Sequence, residues 1–255
     1  MNTIAAPDKA LTEARDNAKF NRHCLRLLEN LDLAHTAYYR AETFGGPSLY
    51  FHQKALDAAR TLDIDRFAEC MYATLASWGM HRMGQGGSKM CDFSTFHDSL
   101  KVVWPLVVAL QGKRPEGLAP EDWRCLKRLF TGIKCMRTAT SLVGNSKVIA
   151  HALPNLVPPV DREYTLKFLY GRGEIKNDIE VEWTKLEEIL RGFFYAVSAS
   201  APFQKAAKDW LAQQARFVWD TSELKVIDNV VIGLMKMNRL GNTKPASVSA
   251  QPAKE

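Results

Sequence analysis

One carboxylate and one amine stand out for where the chain puts them. Asp161 ends the stretch "LPNLVPPVD", in which Pro154, Pro158 and Pro159 hold the backbone stiff and extended, and it opens the next helical pattern. A carboxylate there is first of all a helix N-cap. Held rigidly, it can also stabilise developing positive charge on a sugar and orient a water for attack at C1′, as carboxylates do in glycoside hydrolysis. Earlier, Lys147 lies in "SLVGNSKVIAHAL", which reads as an apolar arm, a turn at Gly144-Asn145 and a helix starting near Ser146. Backbone N–H groups of Gly144, Asn145 and Ser146 at such a turn would seat a phosphate, with Lys147 adding charge.

The surroundings are basic. From Arg124 to Lys176 there are ten basic residues and three acidic ones, a net +7, against +6 for the whole chain. The rest of the protein is therefore almost neutral. Such focused charge suits a polyphosphate partner, because each neutralised phosphate releases condensed counterions. Lys134, Arg137, Arg162 and Arg172 are the candidate contacts, and a solvated basic face is the ordinary alternative.

Two more stretches could contact a nucleic acid held by such a basic surface. "FGGPSLYFHQ" offers Phe44, Tyr50, His52 and Gln53 at a helix start, where a side chain could wedge into a base stack or line a base pocket. "SWGMHRMGQGGSK" offers Trp78, His81 and Arg82 ahead of a glycine-rich loop. Interhelical turns with core aromatics, and a surface histidine, explain the same residues without function. No Ser-His-Asp order, Walker loop, HExxH or deaminase pattern accompanies them. The five cysteines lack CxxC spacing, which argues against a zinc site, an iron–sulfur cluster or a disulfide framework.

The elements that must position these residues read as helices. Apolar residues recur at helical spacing from Leu11 to Tyr39, then in "PSLYFHQKALDAARTL" with Ser48 as its cap, "DRFAECMYATLASWGM", "FSTFHDSLKVVWPLVVALQG" and "APEDWRCLKRLFTGIKCM". Beyond the central segment come "VEWTKLEEILRGFFYAVSAS", "PFQKAAKDWLAQQARFVWD" and "SELKVIDNVVIGLMKMNR". No stretch alternates with period two, so the expected fold is all-α, one globular unit over 1–240 with a disordered tail over 241–255. With no signal-like apolar core and no apolar run near the roughly 20 residues of a membrane span, the expected location is the cytoplasm, away from membranes.

The central segment resembles the helix-hairpin-helix DNA glycosylase superfamily, in which a hairpin of the type VGxxxA precedes a helix and a proline-containing approach ending in "VD". The matching residues are "VGNSKVIA" (Val143 to Ala150) and "PPVD" (Pro158 to Asp161). The resemblance implies two helical lobes with a cleft between them, a helix-hairpin-helix element near residues 138–153, and Asp161 as the catalytic carboxylate. Lys147 matches the lysine that some members use as an amine nucleophile. It stands one place further from the glycine here, so water is the expected nucleophile. The implied activity is excision of a damaged or modified base from double-stranded DNA by a monomer without metal or cofactor, a hypermodified phage cytosine being one such base. The alternative is a protein that binds nucleic acid through the same hairpin without chemistry.

Overall fold

The structure, a computed structural model, describes residues 7–42, 45–84, 87–138 and 140–242. Phe44 and nearly all of the stretch 241–255 lie outside them. Among the described residues the fold is all-α, with one small β-ribbon, and no helix is long and apolar enough to cross a membrane.

The chain runs α1 (Pro7–Leu28), α2 (Leu31–Ala41), α3 (Pro47–Arg60), α4 (Ile64–Ser77), a ribbon of β1 (Met83–Gly84) and β2 (Gly87–Ser88), then α5 (Phe93–Leu110) and α6 (Pro120–Gly132). It continues with α7 (Leu142–Ala152), a wide π turn at Arg162–Leu166, α8 (Lys167–Tyr170), α9 (Ile179–Ile189), a second wide turn at Leu190–Phe194, α10 (Tyr195–Ser198), α11 (Ala201–Leu211) and α12 (Glu223–Asn242). The longer helices bury apolar stripes. In α5 that stripe is Phe96, Leu100, Val103, Val107 and Leu110, the spacing that a 3.6-residue period brings to one face. The stripes meet in one continuous core that reaches from Phe20 to Leu234.

Several boundaries differ from the sequence expectation. The pattern from Leu11 to Tyr39 breaks at Glu29-Asn30, where the Asn30 amide donates to the Arg26 carbonyl at 2.8 Å and closes the end of α1. Gly46, not Ser48, precedes α3, and Ser48 is buried inside it. The glycine-rich loop pairs Met83 with Ser88 as an antiparallel ribbon. Helix α11 stops at Leu211 because the chain beyond it is pulled across α2: the Trp219 N–H donates to the Tyr39 hydroxyl at 3.2 Å, and Asp220 is buried against His35 at 2.7 Å.

Helices α2 and α12 approach closely. A Cβ at Gly233 would overlap the Ala34 carbonyl oxygen, so only glycine lets the two backbones come this close. Helix α12 is covered on both sides. Leu224, Ile227, Val230, Val231 and Leu234 enter the core, while Lys225, Asp228 and Asn229 are also buried. A run of buried charged and polar side chains in one helix needs internal partners, and these lie at the site.

Candidate active site

Helix α7 is locked at its start by a carboxylate from α9. Glu182 Oε2 accepts the N–H groups of Ser141 at 2.6 Å and Leu142 at 2.9 Å, which places a negative charge at the positive end of the helix. Burial raises the Glu182 pKa, and the two backbone donors oppose that rise. This arrangement corrects the expected phosphate seat. The helix begins at Leu142, so Gly144 and Asn145 lie in its first turn and form no hairpin turn. Gly144, Asn145 and Ser146 are buried. A Cβ at Gly144 would overlap the Cys135 sulfur, so this glycine serves packing. The Asn145 amide donates to the carbonyls of Phe130 at 2.8 Å and Ile133 at 3.0 Å, and its oxygen accepts from the Cys135 thiol at 3.1 Å. These residues staple α7 to the end of α6 and cannot touch DNA.

The third staple reaches the carboxylate. Ser146 Oγ accepts the Val160 N–H at 3.1 Å, which ties the residue before Lys147 to the residue before Asp161. Pro158, Pro159 and Val160 are buried, so the approach to Asp161 is held from both sides. Asp161 then caps the wide turn: its Oδ1 accepts from Glu163 N at 2.6 Å and Tyr164 N at 2.9 Å, and its own N–H donates to Thr165 Oγ1 at 3.3 Å. Both cap bonds use Oδ1. Oδ2 has no hydrogen-bond partner among the described residues, and the side chain is only partly buried.

Asp161 opens on a cavity of about 310 Å³. Lys147, Trp78 and Arg82 line the same cavity, so four sequence candidates from three separate segments converge. Tyr38, Tyr164 and Trp219 add aromatic surface, while Lys225, Asp228 and Lys236 come from α12 and Glu42 from the end of α2. The cavity is at the small end of ligand sites, the size that takes one compact planar ligand rather than a chain.

Its electrostatics follow from burial. Lys147 Nζ lies 5.2 Å from the centre of the Trp78 ring. Burial lowers the Lys147 pKa, and the carboxylates of Asp161 and Asp228 partly restore it. Asp228 is pushed up, again by burial first, against the attraction of Lys225. Lys225 Nζ donates to Asp228 Oδ2 at 2.8 Å and to Asn229 Oδ1. The Asn229 amide in turn donates to Asp220 Oδ1 at 2.8 Å and to the Trp219 carbonyl at 3.2 Å. The opposite oxygen of Asp220 meets His35 Nε2 at 2.7 Å, and the His35 ring stacks on Trp210 at 3.9 Å. This buried chain fixes Lys225 and Trp219 in the cavity wall.

A histidine pair supports the floor. His151 Nδ1 bonds the Lys147 carbonyl at 2.7 Å, and because a carbonyl only accepts, that nitrogen carries the proton. In the neutral ring His151 Nε2 is then an acceptor, and His52 Nδ1 donates to it at 2.8 Å. Burial holds His151 down to about 4 and His52 well below the usual range.

The other candidates fall elsewhere. Tyr50 and Gln53 are exposed on α3 and do not line the cavity, because that face of the helix turns to solvent. His52 is buried beneath Trp78, so it supports the wall and cannot act as a wedge. His81 is exposed, with Nδ1 on the Ala76 carbonyl at 2.7 Å. Lys134, Arg137 and Arg172 are exposed; Arg162 is partly buried and reaches Asn177 at 3.4 Å. The basic window is less unbalanced in space than in sequence. Arg124 pairs with Glu121, Lys127 with Glu180 and Lys176 with Asp178, all carboxylates from outside the window, and Lys167 pairs with Glu163 inside it.

Lys225, Asp228, Trp219 and Tyr38 went unseen as site residues in the sequence. The signal that could have found two of them is a charged pair at i, i+3 inside the apolar run "KVIDNVVIGL". Among the described residues no group of three His, Cys, Asp or Glu side chains is placed to hold a metal ion. No family model, curated protein or solved structure matches the chain.

Proposed function

We propose that the cavity is the active site of a DNA N-glycosylase that accepts an extruded, damaged or modified base. The observation that carries this reading is the convergence of Asp161, Lys147, Trp78 and Arg82 on one aromatic-walled cavity. A flipped base needs a compact pocket with aromatic or apolar faces and polar groups at its edge, and the cavity between α4 and α7 on one side and α2 and α12 on the other offers both. Asp161 presents a rigid carboxylate with one oxygen uncommitted. As the C1′–N bond breaks, its electron pair leaves with the base; the carboxylate stabilises the sugar cation and takes a proton from the water that adds to C1′. Lys147 balances the charge of the two carboxylates beside the reacting sugar. Exposed Arg82 stands at the rim, suited to a phosphate next to the extruded nucleotide.

Binding by the hairpin alone is the weaker reading, since Glu182 occupies the helix start that would have held the phosphate. The test incubates the full chain with duplexes that each carry one damaged or modified base and scores alkali-labile sites. Release of a base with formation of an abasic site is the expected result. Duplex binding without abasic sites on any substrate of the panel would leave a binding protein.

A further inference from the structure

A series of exposed cations begins at the cavity rim. The Lys89 N–H donates to the Arg82 carbonyl at 3.3 Å, and the Arg137 N–H donates to the Lys89 carbonyl at 2.9 Å. Backbone hydrogen bonds thus join the three residues in order, across the ribbon of β1 and β2 and the segment beside it, where Met90 pairs with Met136. Each step is about 5 Å, the spacing of paired strands, so the series covers about 10 Å. Arg82 lines the cavity, and Lys89 and Arg137 do not. All three side chains are exposed, and none makes an ion pair among the described residues. The carboxylate next to the series, Asp92, is engaged in the cap of α5: its Oδ1 accepts from Ser94 Oγ at 2.7 Å and Thr95 N at 2.9 Å, and its Oδ2 from Thr95 Oγ1 at 3.1 Å. Like charges held on neighbouring strands repel, and an anion of matching spacing turns that repulsion into attraction.

The series is fixed to the site. The space that a side chain at Gly144 would need is filled by Cys135 Sγ, with Met80 Cε and Met136 Cγ next to it. Met80 lies two residues before Arg82 and Met136 one residue before Arg137, so both ends of the series pack on the first turn of α7, the helix that carries Lys147. Met90, which follows Lys89, is 1% exposed and anchors the middle in the core. Trp78, under the Lys147 ammonium at 5.2 Å, closes the link from the other side. The three cations therefore keep a set position relative to Lys147 and Asp161.

We propose that Arg82, Lys89 and Arg137 form a rail for consecutive phosphates of the DNA strand that bears the extruded nucleotide, on one side of that nucleotide only. This rests on the reading of the cavity as the site of an extruded nucleotide. Phosphates of one strand recur about every 3.4 Å along a duplex axis, so a rail of about 10 Å follows up to about three of them. The side is single because the series leaves the cavity in one direction, from Arg82 through Lys89 to Arg137. An acidic protein segment would match the charge as well; a nucleic acid is favoured because the first cation of the series is also part of the cavity wall.

The test measures binding of the full chain to a duplex that carries one tetrahydrofuran abasic analogue, over a range of salt concentrations. Arg82→Gln, Lys89→Gln and Arg137→Gln remove charge from exposed positions, and a urea midpoint for each confirms that it is folded. Each should flatten the plot of log affinity against log salt by about 0.9, and the triple variant should bind about tenfold or more weakly at fixed salt. Two consecutive methylphosphonate linkages, which carry no charge, are then placed 5′ or 3′ of the analogue. On one side they should weaken the parent and leave the triple variant unaffected; on the other they should weaken both alike. Equal responses of parent and triple variant on both sides, or unchanged salt slopes in the folded variants, overturn the rail. Binding of poly-L-glutamate that depends on the three residues, with duplex binding that does not, assigns them to an acidic protein partner and overturns it too. Abasic-site formation by the parent chain keeps the glycosylase reading standing in each of those cases. A parent chain that neither binds the duplex nor forms abasic sites on any base of the wider panel ends both.

Discussion

The Ser146 hydroxyl accepts the Val160 N–H at 3.1 Å, and the two residues that follow this pair are Lys147 and Asp161. One side-chain bond thus sets the register between the amine and the carboxylate of the cavity. Ser146→Ala leaves a buried N–H without an acceptor, which should cost about 1 to 3 kcal/mol of stability. Excision should also fall at a temperature where the variant is fully folded, because misplacement of catalytic groups by a fraction of an ångström is felt directly in the rate. Urea denaturation and the abasic-site assay measure the two effects separately. Unchanged excision in the destabilised variant would show that the register does not depend on this bond.

Asp161→Asn separates cap from charge. Asparagine caps a helix about as well as aspartate, so the urea midpoint should stay close to the parent's. Excision should fall by about 100-fold or more, the effect of deleting one preorganised electrostatic group. Lys147→Ala is the companion: with water as nucleophile it keeps much of its excision and neither protein traps DNA with borohydride. A trapped adduct that vanishes in Lys147→Ala would make the lysine the nucleophile, a role that its burial-lowered pKa would assist.

What could be read from the sequence was local. Helical period and a proline-stiffened aspartate lie within a few residues of one another, so the all-α fold and the cap at Asp161 were visible. Glu182 capping a helix 40 residues away in sequence was not, nor was the meeting of α2 and α12 that brings Tyr38, Trp219, Lys225 and Asp228 together. Gly144 shows why the rest was misread. Glycine marks both a tight turn and a close approach, and only the position of Cys135 decides between them.

That distinction is testable. Gly144→Val should destabilise the fold by about 1 to 3 kcal/mol or more through overpacking against Cys135. Gly144→Ala should be milder and partly rescued by Cys135→Ala, with a coupling of about 0.5 to 3 kcal/mol in a double-mutant cycle. If Gly144→Ala lowered DNA affinity at unchanged stability, the glycine would have to contact phosphate after all.

The exposed basic residues yield an ionic-strength prediction. Lys134, Arg137 and Arg172 make no ion pair among the described residues, unlike Arg124, Lys127, Lys167 and Lys176. Reversing the three to glutamate should weaken duplex binding across sequences and flatten the plot of log affinity against log salt, by about 0.9 in slope for each phosphate that is no longer neutralised. Reversal of Lys127 alone should change that slope little, since Glu180 already neutralises it, at 2.6 Å. Equal slopes for the parent and the triple variant would remove these residues from the DNA surface.

The buried histidine pair gives the stability a pH dependence of defined sign. His151 is held to about 4 in the fold, against about 6.5 in an unfolded chain, and His52 is lowered as well. Above pH 6.5 both rings are neutral in either state and contribute no slope. As the pH falls from 6.5 toward 4, the unfolded chain takes up a proton that the folded His151 refuses, so stability declines by about 1.4 kcal/mol per pH unit from this ring in that window, and His52, lowered by the same cause, adds a loss of the same sign. The loss from His151 ends near pH 4, where the folded ring protonates; a charged His151 can no longer accept from His52, so the bond between the two rings must reverse, with His52 in its other tautomer. Urea midpoints of the parent should therefore fall between pH 6.5 and 4 more steeply than those of His151→Gln, which keeps a donor for the Lys147 carbonyl and an acceptor for His52 but does not titrate. Parallel pH profiles for the two proteins would mean that His151 is not held neutral by the fold.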